Sequence, residues 1–346
     1  MEFSREIIKW YYENKRSLPW RNCSDPYKIW ISEIILQQTR VKQGLPYFNR
    51  FIEKYPTIDL LAEASENEVL KLWQGLGYYS RARNMHTTAK EITEKYNGIF
   101  PNDYKKILSL KGIGNYTAAA ICSFSFNLPY AVVDGNVIRV LSRYFGVQIP
   151  FDSSQGKKVF EQLAQELLID NKARENNQAI MEFGALQCKP KAPDCKLCPL
   201  KNSCFGYNKK MVNELPKKIK KIKKIKRYFE FFIINNKENI LIQKRKQGIW
   251  KGLYQFPLIE NKVKKSESSI KHSKSLRNLF VAPIRILKIS PVLKHQLTHQ
   301  TIFARFWHVE SKSKNIKDSK SINKQDLKRY PIPRLLEKYL QNIGMI

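Results

Sequence analysis

The sequence predicts a two-part chain, an all-α first half of about 208 residues joined through a basic stretch to an α+β tail. Three observations carry this. Up to about residue 208 apolar residues recur at helical spacing and strand-like alternation is scarce. Residues 209–227 interrupt the pattern with ten Lys or Arg against one Glu. From residue 228 the texture turns to short β-rich runs separated by polar turns. A length of 346 residues also favours two domains over one.

Taken in order, residues 2–14 set Phe3, Ile7, Ile8, Trp10 and Tyr11 close to a 3.6-residue period. Residues 26–42 read as a buried helix, with Asp25 as its cap and Pro26 in its first turn. Residues 65–74 open on Ser65-Glu66-Asn67-Glu68, a capping-box pattern. A small-residue helical run at 116–127 stops before Pro129, and further helices are expected at 156–168 and from about 175 into Cys188. In the basic stretch Ile219, Ile222 and Ile225 recur every third residue, which suits neither a good helix nor a strand. It reads as a linker, either laid along phosphates or simply solvated. In the tail, residues 228–234 and 239–243 flank Asn235-Asn236-Lys237-Glu238 as a hairpin, 301–309 form another strand, and 333–342 a closing helix. There is no internal repeat.

Lys and Arg number 62 against 30 Asp and Glu, a formal charge of +32. Such a surface attracts polyanions, nucleic acid first, although a general richness in Lys, Asn and Ile contributes to the charge. With 42% hydrophobic residues the chain can bury a core, which excludes global disorder. No stretch approaches the ~20 apolar residues of a membrane helix. The N-terminus carries charges where a signal peptide needs an apolar centre. A cytoplasmic monomer with no membrane partner is therefore expected.

Four of six cysteines crowd into one segment, Cys188, Cys195, Cys198 and Cys204, spaced C-x6-C-x2-C-x5-C. Four thiolates on a short loop can wrap one metal centre, and the spacing alone fits zinc as well as iron–sulfur. Nothing in it supplies an open coordination position, so the role is structural. Upstream, Leu110-Lys-Gly-Ile-Gly-Asn-Tyr-Thr-Ala118 lies between two helical stretches. Gly112 and Gly114 can take the positive φ of a tight hairpin, and the amides of the following helix then face outward, which suits a DNA phosphate. Asp134, in Val132-Val133-Asp134-Gly135-Asn136-Val137, is either a helix cap or a placed acid. Glu33 sits in the largely apolar run Trp30-Ile31-Ser32-Glu33-Ile34-Ile35-Leu36. A carboxyl group in such surroundings should have a raised pKa and keep its proton near neutral pH.

Hairpin, downstream aspartate and cysteine loop, in that order, resemble the helix-hairpin-helix DNA glycosylase superfamily. The segments YKIWISEIILQQTR at 27–40, GLGYYSRARN at 75–84 and VVDGNVIRVLSR at 132–143 narrow the resemblance to the adenine DNA glycosylases of the MutY family. It runs from about Arg16 to Cys204 and continues more weakly in the tail. It implies a six-helix barrel at about 23–130, and a second helical domain built from the N-terminal helix plus about 131–208. That domain would hold one [4Fe–4S] cluster on the four cysteines, with the active site between the two. The implied partner is double-stranded DNA, and the implied reaction is release of adenine opposite 8-oxoguanine or G in base excision repair.

Breaking an N-glycosidic bond calls for two carboxyl groups in different protonation states. By the resemblance, Glu33 protonates N7 of adenine, Asp134 stabilises or captures the oxocarbenium sugar, and Asn136 and Tyr116 support them. Bifunctional relatives place a lysine nucleophile where this chain has Tyr116, so base release without an efficient lyase step is implied. Arg16, Trp20, Arg21 and Gln178 match a pocket for the extruded adenine. Gln38, Thr39, Leu76 and Tyr78 match residues that wedge into the duplex and contact the opposite base.

The tail, residues 228–346, resembles the Nudix-like domain that this family uses to inspect 8-oxoguanine. Residues 248–257, GIWKGLYQFP, match its strand-turn segment, and His295-Gln296-Leu297-Thr298-His299 its recognition loop, with Thr298 in the hydroxyl position. Residues 261–280 are mostly Lys and Ser, too poor in carboxylates to hold Mg²⁺, so pyrophosphate hydrolysis is not expected. Two other readings remain: an endonuclease III-like glycosylase/lyase, against which Tyr116 and the tail speak, and a non-catalytic iron–sulfur DNA-binding protein, which would need neither Glu33 nor Asp134.

Overall fold

The computed structural model describes residues 2–219, 224–236, 238–280, 282–311, 316 and 318–346. Helices fill the first half: α1 (Glu2–Asn14), α2 (Pro26–Leu36), α3 (Val41–Lys54), α4 (Ile58–Glu63), α5 (Glu66–Leu72), α6 (Ser80–Tyr96) and α7 (Tyr104–Ser109). They continue as α8 (Asn115–Phe126), α9 (Gly135–Phe145), α10 (Ser154–Glu166), α11 (Ala173–Leu186) and α12 (Phe205–Asn208). An α+β tail follows. Contacts divide the chain into two compact units, Met1–Glu63 with Asn84–Lys221, and Ala64–Arg83 with Ile222–Ile346. None of the described helices is long and apolar enough to cross a membrane.

In the first unit Asp25 caps α2 by accepting from the Tyr27 amide at 2.9 Å, with Pro26 opening the helix. The helix expected at 26–42 ends at Leu36, and a four-residue turn precedes α3. Gln38 takes φ +53° in that turn, and no Gly or Pro there announces the break. α2 is apolar on most sides and packs on α8, whose Ala118, Ala119 and Ala120 are buried and let the two helices come close. A second core joins Phe3 and Ile7 of α1 to Val137 and Leu141 of α9 and to Ile180 and Phe183 of α11. Gly184 makes that packing possible, since a Cβ there would meet the Asn136 Cβ at 2.7 Å.

Gly112 takes φ +81°, as its turn requires, and a Cβ there would strike Asn84. Gly114, expected to share the positive φ, sits instead at φ −103° as the N-cap of α8. A side chain at Gly114 would stand in open space, so glycine there keeps the start of α8 bare. Of the basic segment, the Lys217 carbonyl accepts from Phe151 N at 3.0 Å, and Ile219 N donates to Asp152 Oδ1 at 2.9 Å. Residues 220–223 lie outside the described residues, and the first strand begins at Ile225.

In the second unit the strands are β1 (Ile225–Asn236), β2 (Asn239–Lys244), β3 (Tyr254–Gln255) and β4 (Leu258–Asn261). Then come α13 (Glu267–Lys271), α14 (Lys274–Leu279), β5 (Ile284–Ile289), β6 (Leu293–Gln296), β7 (Gln300–Ser311), β8 (Ser319–Asn323) and α15 (Arg334–Asn342). The two strands of the expected hairpin pair at Asn235↔Ile240 and Asn236↔Asn239, while Lys237 of its turn lies outside the described residues. Most of β1 runs parallel to β7, from Ile225↔Gln300 to Ile234↔Val309. Phe232 and Trp307 share one core with Ile270 and Leu276 from the two short helices and with Phe280, which follows the second. The segment 64–83 is tied to the tail by Lys71 Nζ on the Tyr330 carbonyl at 3.3 Å and Gln74 Nε2 on Glu337 Oε1 at 2.8 Å.

Candidate active site

A cavity of about 520 Å³ in the first unit is lined by Arg16, Trp20, Arg21, Glu33, Thr39, Tyr116, Asp134, Asn136 and Gln178, among others. The α2–α8 packing brings the Tyr116 hydroxyl to Glu33 Oε2, to which it donates at 2.8 Å. Glu33 is 6% exposed, and its burial raises its pKa to about 7. The Asp134 charge pushes the same way, whereas the Tyr116 hydrogen bond and Arg21 pull down. The apolar run around Glu33 thus has the effect its sequence predicts.

Asp134 caps α9. Its Oδ1 accepts from the amides of Asn136 and Val137, both at 2.8 Å, and its Oδ2 accepts from Asn136 Nδ2 at 2.7 Å. Burial raises its pKa, and these three bonds oppose the rise. Every partner is a donor, which matches an ionised carboxylate. While capping the helix, Asp134 also lines the cavity. Asn136 is itself fixed by Arg139, whose Nη2 donates to Asn136 Oδ1 at 2.8 Å and leaves the amide nitrogen for Asp134. The same guanidinium reaches the Gly184 carbonyl at 2.6 Å and the Cys188 carbonyl at 2.8 Å, a bridge the sequence did not suggest.

Arg16 and Arg21 both fork onto Glu182, a residue missed from sequence. Arg16 donates at 2.7 and 2.5 Å and Arg21 at 2.8 and 2.6 Å. Glu182 is nearly inaccessible, and although burial pushes its pKa up, the two guanidiniums hold it at about 2. The signal was legible: an acid four residues after Gln178 among apolar neighbours of α11 has to find cations. Gln178 Oε1 accepts from the Tyr11 hydroxyl at 2.7 Å, and Trp20 packs edge-on against Phe48.

Four of the residues expected to contact bases lie elsewhere. Gln38 is exposed on the turn before α3. Leu76, Tyr78 and Thr298 line a separate cavity in the second unit, where Leu76 is buried and Tyr78 exposed. The hydroxyls of Tyr78 and Thr298 are hydrogen-bonded to each other.

Cys188, Cys195, Cys198 and Cys204 line one pocket with Val140, Phe183, Leu200 and Arg143, and all four are free thiols. The buried Arg143 donates to Cys188 Sγ at 3.4 Å and to the Lys189 carbonyl at 2.8 Å. Burial pushes the Cys198 thiol up to about 11, and nearby thiols add to the rise. As placed, no group of three or more His, Cys, Asp or Glu among the described residues is set to hold a metal ion.

Residues 31–168 match the model of the HhH-GPD superfamily base excision DNA repair proteins, and residues 230–342 match that of the NUDIX domain. An adenine DNA glycosylase of Buchnera aphidicola subsp. Acyrthosiphon pisum is 35% identical over 354 aligned positions, covering 99% of this chain and 98% of that relative. The chain belongs to the adenine DNA glycosylase family. Another of its adenine DNA glycosylases, from Buchnera aphidicola subsp. Baizongia pistaciae, is 40% identical across 87% of this chain and 84% of its own. Among solved structures a thermostable thymine-DNA glycosylase superposes with a TM-score of 0.56 at 32% identity. It covers 60% of this chain and 95% of its own length.

Proposed function

We propose that this protein is a monofunctional glycosylase that excises adenine opposite 8-oxoguanine, and opposite G, from double-stranded DNA. The observation that carries the reading is two carboxyl groups on one cavity in different surroundings, Glu33 able to hold a proton near neutral pH and Asp134 surrounded by donors. Glu33 gives its proton to N7 of the extruded base, the C1′–N9 electron pair leaves with adenine, and the cationic sugar forms beside the Asp134 carboxylate. Water then adds at C1′ and loses a proton. Asn136, held by Arg139, keeps Asp134 aimed. Trp20, Arg21 and Gln178 receive the base, with Arg16 and Glu182 bracing that wall. Gln38, Thr39, Leu76 and Tyr78 contact the opened duplex, the bare start of α8 at Gly112 and Gly114 takes a backbone phosphate, and Thr298 reads 8-oxoguanine. The test is base release from duplexes carrying A opposite 8-oxoguanine, A opposite G, and thymine glycol. Release of thymine glycol with strand cleavage, and none of adenine, would favour the endonuclease III-like reading.

Activity should fall as pH rises through about 7, because the acid must be protonated and Glu33 titrates there. Tyr116→Phe removes a hydrogen bond that favours the charged form of Glu33, so the descending limb should move to higher pH. Single-turnover rates across pH for both proteins check this, and a limb that stays put or moves down contradicts it.

The cysteine pocket fits a [4Fe–4S] cluster by its donor set: four thiols around one apolar-walled space, with a buried arginine to offset thiolate charge. Bound there, the cluster supplies a covalent brace for the loop. Arg139 links that loop, through the Cys188 carbonyl, to Asn136. Protein purified without oxygen should be brown and carry about four iron and four sulfide per chain. Stoichiometric zinc with no visible absorption would refute it.

A further inference from the structure

We propose that Arg81 is a positioning residue for Tyr78, holding the wedge in the conformation from which it meets DNA. The inference rests on the reading of Tyr78 as a duplex-contacting side chain. Three residues of the Gly75–Tyr78 turn have positive φ, Gly75 at +101°, Gly77 at +76° and Tyr78 at +49°. Glycine adopts such values freely, but a bulky aromatic residue does so only when its surroundings over-determine the backbone. Tyr78 is also 41% exposed, so its own packing does not hold it.

Arg81, one turn later and 9% exposed, supplies the constraint. Its Nη2 donates to the Gly77 carbonyl at 3.2 Å, beside Trp73 Nε1 on the same oxygen at 3.0 Å. Its backbone amide donates to the Tyr78 carbonyl at 2.9 Å. The guanidinium carbon stands 5.6 Å from the Tyr78 ring centre and 5.0 Å from that of Trp73. One planar cation therefore fixes the carbonyl before Tyr78 and covers the Tyr78 ring, which an ammonium cannot do at once. The far end of the ring is tethered by the hydroxyl contact with Thr298. Arg81 thus sets both the entry angle of the wedge and its meeting point with the Thr298 loop, and all these residues lie in one compact unit.

The test is a double-mutant cycle on the full-length protein, using affinity for a duplex with 2′-fluoroadenosine, which resists excision, opposite 8-oxoguanine. Arg81→Met should weaken binding about tenfold, the scale of a charge-assisted hydrogen bond plus a cation–π contact. In a Tyr78→Ala background the same change should cost almost nothing. Arg81→Lys should lose part of the affinity, and if Arg81→Met does not fold, Arg81→Lys carries the cycle. Equal losses with and without Tyr78, or native affinity in Arg81→Lys, would overturn the proposal. Failure of the unmodified protein to release adenine would defeat the functional reading instead and leave the cycle interpretable.

Discussion

Glu33→Gln is expected to abolish adenine release while leaving affinity for the mispaired duplex nearly intact. Glutamine keeps the shape, and its carbonyl can still accept the Tyr116 hydrogen bond that Glu33 Oε2 takes at 2.8 Å. What disappears is the transferable proton, and a positioned general acid contributes roughly 10²–10⁴ in rate. Without it the departing base must leave as an anion. Asp134→Asn attacks the other half. An asparagine can still cap α9 through its oxygen, but its amide would then face the Asn136 amide that now donates at 2.7 Å, donor against donor. Loss of the charge beside a cationic sugar should cost about 10²–10³ more than a simple cap change. Single-turnover rates with saturating protein, paired with binding isotherms, separate the two effects. Near-native turnover in either variant would sink the two-carboxylate mechanism.

What could be read ahead of the structure was whatever a local pattern decides. The apolar run around Glu33 announced both a buried helix and a raised pKa, and the Asp25-Pro26 entry and the Ser65–Glu68 capping box form as written. Partners distant in sequence were not legible in the same way. Glu182 lies 166 residues from Arg16, and no local rule pairs them, although a buried acid on an apolar helix demanded some cation. Arg139 carries no local signal of its partners, because its acceptors are carbonyls at Gly184 and Cys188 and a side-chain oxygen at Asn136. The turn after Leu36 was hidden because Gln37, Gln38, Thr39 and Arg40 are compatible with a continuing helix, yet Gln37 leaves it at ψ 113° and Gln38 takes a positive φ. The grouping of 64–83 with the tail has no local signature at all. It rests on contacts such as Leu70 lying close to where a Gly252 Cβ would stand.

Tyr116→Lys should exchange one activity for another. The Tyr116 side chain is half-buried with its hydroxyl on Glu33 Oε2, on the cavity that Asp134 also lines. An ammonium in that place would pair with the Glu33 carboxylate and favour its charged form, drawing its pKa down from about 7. Glu33 would then hold no proton to give at neutral pH, and adenine release should fall by the same ~10²–10⁴ that removal of the acid costs. The amine gains a different opportunity, because once it has passed its proton to a neighbouring carboxylate it is a nucleophile. On a duplex that already carries an abasic site, it can add to the C1′ aldehyde of the ring-opened sugar. Loss of water gives an imine, and removal of a C2′ proton then expels the 3′ phosphate and cuts the strand. Borohydride would reduce the imine and trap a protein–DNA crosslink in the variant, while the unmodified protein, with a phenol in place of an amine, should trap none. Efficient trapping by the unmodified protein would overturn the monofunctional reading. A variant that neither crosslinks nor cuts would show that position 116 does not reach C1′, and the role given to Tyr116 beside the sugar would fall with it.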